Sequence, residues 1–161
     1  MPGSKLTKAL KKACAKGIKT KIILAGVSDV PLVRRATEHL YTSLLGHNIK
    51  IYEWNKSVVH GKAAMVDNKW SIVGSFNLNS LSYYGSIEIN VEIQSVKFAK
   101  NLQSDFKKVM NECSEITLET LRKRSGMFKN LVNWVSYQIV RTSMLFLTFL
   151  PHLRFLKNYR L

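Results

Sequence analysis

Between residues 60 and 77 the sequence places His60-Gly61-Lys62-Ala63-Ala64-Met65-Val66-Asp67 and then Gly74-Ser75-Phe76-Asn77, a pattern of the form His-x-Lys-x4-Asp-x6-Gly-Ser-x-Asn. On an extended strand residues i and i+2 face the same way, so His60 and Lys62 project together. An imidazole beside an ammonium suits a phosphate: the ammonium neutralises its oxygens while the imidazole attacks phosphorus or donates a proton. Gly74 lets backbone approach closely, and Ser75 and Asn77 alternate onto one face across Phe76, adding neutral donors for non-bridging oxygens. Together they read as a metal-free phosphoryl site. His60 and Lys62 alone are explained as well by a strand-end histidine and a surface lysine. Six fixed positions together recur by chance in only about one register per 10⁷. No paired-carboxylate site and no His/Cys ligand spacing points to a metal, and no cofactor is called for. His39, His47 and His152 lack partners at useful spacing and read as bystanders.

Periodicity indicates the elements that must position these residues. Leu6, Ala9, Leu10 and Ala13 form one face of a helix and Lys5, Lys8, Lys11, Lys12 and Lys16 the other, with Ser4 as N-cap and Gly17 as C′ residue. Thr20-Lys21-Ile22-Ile23-Leu24 reads as a buried strand. Pro31 begins a helix expected to run to about Leu45, where Gly46 stops it, and Ile49, Tyr52 and Trp54 mark a second strand. Apolar runs from Lys62 to Ser75 flank a hairpin turn at Asp67-Asn68-Lys69. Ile87 to Ile93 alternates against Glu88, Asn90 and Glu92, a strand with one polar face. Phe98 to Met110 is an amphipathic helix, and Glu115 to Arg124 continues helically. That order predicts an α/β fold, a mixed β-sheet flanked by helices, over residues 1–125, followed by a basic and apolar helical tail over 126–161. The chain opens on a helix, so the sheet is expected to lack a first strand and to expose an edge.

Composition agrees. A chain of 161 residues that is 46% hydrophobic holds one domain with a real core, not a disordered segment. Its formal net charge of +15 favours polyanions: phospholipid headgroups, nucleic acid or phosphorylated substrates. The charge sits on the flanks. Residues 1–62 hold 12 basic and 3 acidic residues, 63–121 hold 5 and 7, and 122–161 hold 8 and none. Cys14 and Cys113 are too few for a disulfide scaffold or a Cys-only zinc site and read as buried or inert thiols. Residues 1–21 are broken by lysines throughout, unlike a secretory signal.

The pattern at 60–77 resembles the HKD motif of the phospholipase D superfamily. Lys5 to Leu24, Ser28-Asp29-Val30-Pro31-Leu32-Val33-Arg34-Arg35-Ala36, Ile51-Tyr52-Glu53-Trp54 and Gly74-Ser75-Phe76-Asn77-Leu78-Asn79 extend the resemblance to the C-terminal half of bacterial cardiolipin synthases, over roughly residues 3 to 125. The resemblance implies a phosphatidyltransferase acting on anionic phospholipid, phosphatidylglycerol-like, at the cytoplasmic side of the cell membrane. It gives His60 the role of nucleophile or general acid around a phosphohistidine intermediate. Lys62 then holds phosphate oxygens, with Ser75 and Asn77 completing the cradle, Asp67 mainly structural within the motif, and Glu88 matching an acidic residue that orients a catalytic histidine. The family's site faces two HKD motifs; here His47 is followed by Ile49 and His152 by Arg154, so neither supplies a second. The second half then comes from another copy of the chain or a longer parent chain, or the chain is an inactive remnant. A homodimeric phosphodiesterase or nuclease is the alternative enzyme, with nucleic acid the less favoured partner because a soluble nuclease needs no apolar tail. A non-catalytic membrane-binding fragment is the alternative from another class.

In that tail, Val135 to Leu150 is apolar apart from Arg141 and falls short of the roughly 20 residues that span a bilayer. Phe128, Leu131, Trp134, Val135 and Ile139, with Arg122, Lys123, Arg124 and Lys129 nearby, suit an interfacial helix, and Arg154, Lys157 and Arg160 add attraction to anionic lipid. A helix covering the sheet, or a dimer contact, explains the same pattern.

Overall fold

The computed structural model describes residues 3–77 and 87–158, with side chains described through Phe146. Its elements are α1 (Ser4–Ala15), β1 (Lys21–Val27), α2 (Pro31–His39), α3 (Tyr41–Leu45), β2 (Lys50–Val58), β3 (Ala63–Val66), β4 (Trp70–Gly74), β5 (Asn90–Gln94), α4 (Val96–Asn111), β6 (Ser114–Ile116), α5 (Leu118–Arg124) and α6 (Met127–Asn158). The fold is the expected mixed α/β type, but its strands divide into two three-stranded sheets, β1-β2-β6 and β3-β4-β5. In the first, β1 runs parallel and β6 antiparallel to β2. The second is an antiparallel meander. Strands β1, β6, β3 and β5 each have one neighbour, so each leaves an edge unpaired among the described strands.

The core lies on one face of the first sheet. Ile22, Ile51 and Ile116 stand in one register row across β1, β2 and β6. Ile51 and Ile116 are buried with Tyr41, Leu44, Ile49 and Leu121, and Leu10, Cys14 and Leu24 pack against them. Alternation along β2 then carries Glu53 onto the same face as Ile49 and Ile51, where it is 1% exposed. Its two carboxylate oxygens are taken by Arg34 of α2 and by Arg124 of α5, the latter at 3.0 Å. The Tyr41 phenol beside it is pushed well above its usual range, by burial first and by Glu53, against the pull of Arg34.

Several elements depart from expectation. α1 has Gly3, not Ser4, as N-cap, and no side chain caps it. It ends as expected at Gly17, whose φ of 88° lets the Ile18 N–H donate back to the Ala13 carbonyl at 3.2 Å. The helix expected to reach Leu45 breaks at Leu40 into α2 and α3, and α3 buries Tyr41 and Leu44. The stretch from Glu115 to Arg124 is not continuous helix: Ser114–Ile116 pairs with β2, which buries Ile116. Helix restarts through a capping box in which the Thr120 N–H donates to Thr117 Oγ1 at 3.1 Å and the Thr117 N–H to Thr120 Oγ1 at 2.7 Å. Thr117→Ala is therefore expected to cost about 1 kcal/mol, read as a lower urea midpoint with an unchanged slope. β5 begins at Asn90, leaving Ile87 and Ile89 exposed ahead of it. Cys14 and Cys113 are free thiols, half-buried rather than buried, and burial raises the Cys113 thiol.

The tail is the single long helix α6, and it packs along α2 rather than over a sheet. Burial lowers the His39 imidazole of α2 below its ordinary value, and its ring lies 4.9 Å from that of Tyr137. Among the described residues no helix is long and apolar enough to cross a membrane. The side chains of residues 147–161, including Arg154, Lys157 and Arg160, and all of Leu78 and Asn79, lie outside the described residues.

Candidate active site

The meander explains how distant residues meet. β3 begins, β4 ends and β5 begins at the same end of the second sheet, so segments 60–62, 74–77 and 87–90 converge there. The Gly74 N–H donates to the Lys62 carbonyl at 3.0 Å, which sets the His-x-Lys segment beside the end of β4. On the other flank the Ser75 N–H donates to the Ile89 carbonyl at 3.0 Å, and the Ile89 N–H to Ser75 Oγ at 3.0 Å. The Ser75 hydroxyl in turn donates to Glu88 Oε2 at 2.6 Å.

His60, Lys62, Ser75 and Glu88 are thus gathered at one edge of a small sheet, with Asn77 two residues beyond Ser75. The His60 imidazole is exposed, and no hydrogen bond or ion pair to another described residue engages it. Lys62 Nζ donates to the His60 backbone carbonyl at 2.8 Å, so the ammonium rests over the segment that carries the imidazole. A neutral carbonyl is a weaker partner than a phosphate oxygen, and the ammonium is free to exchange one for the other. The Ser75 proton is directed at Glu88, which makes Ser75 one of the contacts that hold that carboxylate at the site.

Asp67 is placed elsewhere. Asp67 and Asn68 have φ of 52° and 53°, and the Lys69 N–H donates to the Val66 carbonyl at 3.2 Å, a primed turn closing the β3–β4 hairpin. That turn is at the opposite end of β3, about 16 Å of extended chain from Lys62. Asp67 therefore belongs to the turn, where a short polar side chain tolerates the left-handed backbone, and not among the groups beside His60. The open concavity lined by Lys69, Trp70, Gln94, Ser95 and Val96 is at the same remote end.

Asn90 is the site residue that sequence patterning reads only as one polar position of a strand. Its Oδ1 accepts from the Phe76 N–H at 3.4 Å and lies across Gly74. A Cβ on Gly74 would come within 2.2 Å of Asn90 Oδ1 and 2.4 Å of the Ile89 carbonyl. Glycine is needed here because β5 crosses too close for any side chain. Gly74→Ala is expected to pry β4 from β5, costing about 1–3 kcal/mol and misplacing Ser75 and Glu88. A lower denaturation midpoint together with a loss of turnover is the result to look for.

Three comparisons bear on this geometry. The family described as cardiolipin synthase, phospholipase D-like domain, matches residues 1–110. Cardiolipin synthase B of Escherichia coli K12 is 33% identical over 125 residues, covering 77% of this chain and 30% of its own. The minor cardiolipin synthase of Bacillus subtilis is 32% identical over 125 residues, covering 78% of this chain and 31% of its own. The chain thus spans about a third of the length of these relatives. Among solved structures, the phospholipase D family member Nuc from Salmonella typhimurium superposes with a TM-score of 0.60 at 18% identity, over 73% of this chain and 76% of that one. NucT from Helicobacter pylori superposes with a TM-score of 0.51 at 18% identity, over 70% and 74%. At that identity the likeness is one of fold.

Proposed function

Because the chain belongs to the cardiolipin synthase family of phospholipase D-like domains, we propose that it forms one half of a phosphatidyltransferase active site working through a phosphohistidine on His60. The observation that carries this reading is the convergence of His60, Lys62, Ser75 and Glu88 at one end of the β3-β4-β5 sheet, with the imidazole exposed. An imidazole nitrogen attacks the phosphorus of phosphatidylglycerol, the bond from phosphorus to the headgroup glycerol oxygen breaks, and an acid protonates the departing alkoxide. The glycerol hydroxyl of a second phosphatidylglycerol then attacks the same phosphorus, losing its proton to the same group, as the P–N bond breaks and frees the His60 imidazole. Two phosphatidylglycerols become one cardiolipin and one glycerol. Lys62 moves its ammonium from the His60 carbonyl to the non-bridging oxygens, where it balances charge in the transition state. Ser75 and Asn77 complete the cradle, and Glu88 orients the catalytic imidazole. The reading calls for no metal or cofactor.

The acid is the histidine of a second HKD motif, brought by another copy of this chain or by a longer parent polypeptide. Residues 1–125 make up the catalytic half and 126–161 the tail, acting peripherally at the cytoplasmic face of the cell membrane. Purified chain, alone and mixed with a polypeptide carrying the other motif, is given phosphatidylglycerol vesicles or DNA. Cardiolipin in either vesicle reaction supports the reading, and its appearance with the chain alone assigns the second histidine to another copy. DNA cleavage without cardiolipin replaces the lipid substrate by nucleic acid. No product in any combination rejects catalysis.

A further inference from the structure

α6 buries a side that mixes polar and apolar residues and exposes an apolar stripe on the other. Against α2 it sets Asn133 and Ser136, 5% and 3% exposed, together with Val140. Lys129 Nζ donates to Glu38 Oε1 at 3.0 Å and Asn133 Nδ2 to Glu38 Oε2 at 3.4 Å, while Asn133 Oδ1 is buried without a partner. The opposite side carries Phe128, Leu131, Trp134, Val135, Ile139 and Phe146, with Phe128 80% and Phe146 67% exposed. At 3.6 residues per turn these positions fall within one arc of about 140°, running about 27 Å along the helix. A stripe of that extent facing water marks a surface made for something else.

We infer that this stripe is a docking surface for an anionic lipid bilayer, with α6 lying flat at the boundary between headgroups and acyl chains. Charge selects lipid over protein. Residues 122–161 carry eight Lys and Arg and no Asp or Glu. Arg124 and Lys129 are engaged by Glu53 and Glu38, but Arg122 and Arg141 are exposed without acidic partners among the described residues. On the helical wheel Arg141 falls at the margin of the apolar arc, on the side of Trp134 and two turns beyond it. An arginine and an indole at the rim can hold polar ends among headgroups while their bodies stay in the apolar layer. Pairing two copies through this face would instead bring the unbalanced cations of one against those of the other. Spanning is excluded for the described helix by its hydropathy, and its inner side is already occupied by α2. The helix therefore lies on the bilayer.

The docking surface rests on the proposed peripheral action of the tail and not on the phosphohistidine step, and the test keeps the two apart. Full-length chain is sedimented with phosphatidylcholine vesicles, with and without phosphatidylglycerol. Wild type is expected to bind the phosphatidylglycerol vesicles, with Trp134 emission shifted to the blue by difference from Trp134→Phe. Triple replacement Phe128→Ser, Leu131→Ser and Val135→Ser is expected to weaken partitioning about a hundredfold, and Arg141→Gln several-fold. All four side chains point into solvent, so circular dichroism and the urea midpoint should stay as in wild type. His60→Ala is expected to bind vesicles like wild type, so lost turnover and lost docking are seen separately. Vesicle binding undiminished in the triple variant would overturn the inference. So would a vesicle-free dimer of the wild type that the triple substitution dissolves, because the stripe would then belong to a second copy.

Discussion

His60→Ala is expected to lower cardiolipin formation by about 10³-fold or more while leaving the fold unchanged. The imidazole is exposed and held by no hydrogen bond or ion pair among the described residues, so its removal breaks nothing that supports the sheet. What it removes is the nucleophile that the proposed reading places beside Lys62. A phosphoramidate is stable in base and labile in acid, so radiophosphorus from labelled phosphatidylglycerol should stay on wild-type protein denatured in alkali and leave it in acid. The alanine variant should carry no label. Turnover and label both surviving the substitution would sink the assignment. Label kept with turnover lost would make His60 the acid and give the nucleophile to the other motif. Lys62→Ala is expected to act through the same step, since a phosphate at His60 would lose its nearest cation.

Glu53→Gln is expected to cost about 3–5 kcal/mol, a large part of the 5–15 kcal/mol that holds a domain of this size. The carboxylate is 1% exposed and joins α2 to α5 across β2 through Arg34 and Arg124, with the buried Tyr41 phenol beside it. An amide of the same shape fills the space but leaves two guanidinium groups without a counter-charge at the edge of the core. The urea midpoint measures the loss, with Lys123→Gln as a control because its ion pair with Glu119 is fully at the surface and contributes little. If charge imbalance is the cause, Glu53→Leu with Arg34→Met should recover much of the stability, because apolar side chains of similar volume replace a buried pair at little cost. A Glu53→Gln effect below about 1 kcal/mol would show that water reaches the cluster and screens it.

Local order along the chain was largely legible. Ile49, Tyr52 and Trp54 announced β2, the Asp67-Asn68 turn announced a hairpin, and Gly17 ended α1, because each depends on neighbours within a few residues. Misreadings came where two periods compete over a short span. Ser114–Ile116 carries too few residues to show alternation beside the helical pattern that follows, and pairing with β2 decides it. Tyr52 and Trp54 looked like the anchoring side of β2, yet Ile49, Ile51 and Glu53 are the buried row. A carboxylate on the core face is not legible until the two arginines that neutralise it, 19 and 71 residues away in sequence, are brought alongside.

By itself the sequence determined the fold class and the family, and it named the residues proposed to meet phosphate, because a fixed spacing of six residue types is legible without its surroundings. The tertiary structure alone decided which of them stand together. An antiparallel meander puts strand starts and strand ends at alternating edges, and so unites His60, Lys62, Ser75 and Glu88 while sending Asp67 to the far side. The close crossing of β5 explains Gly74, and the docking of α6 on α2 decides which side of that helix faces out. Each depends on contacts between elements distant in the chain, which no local period encodes.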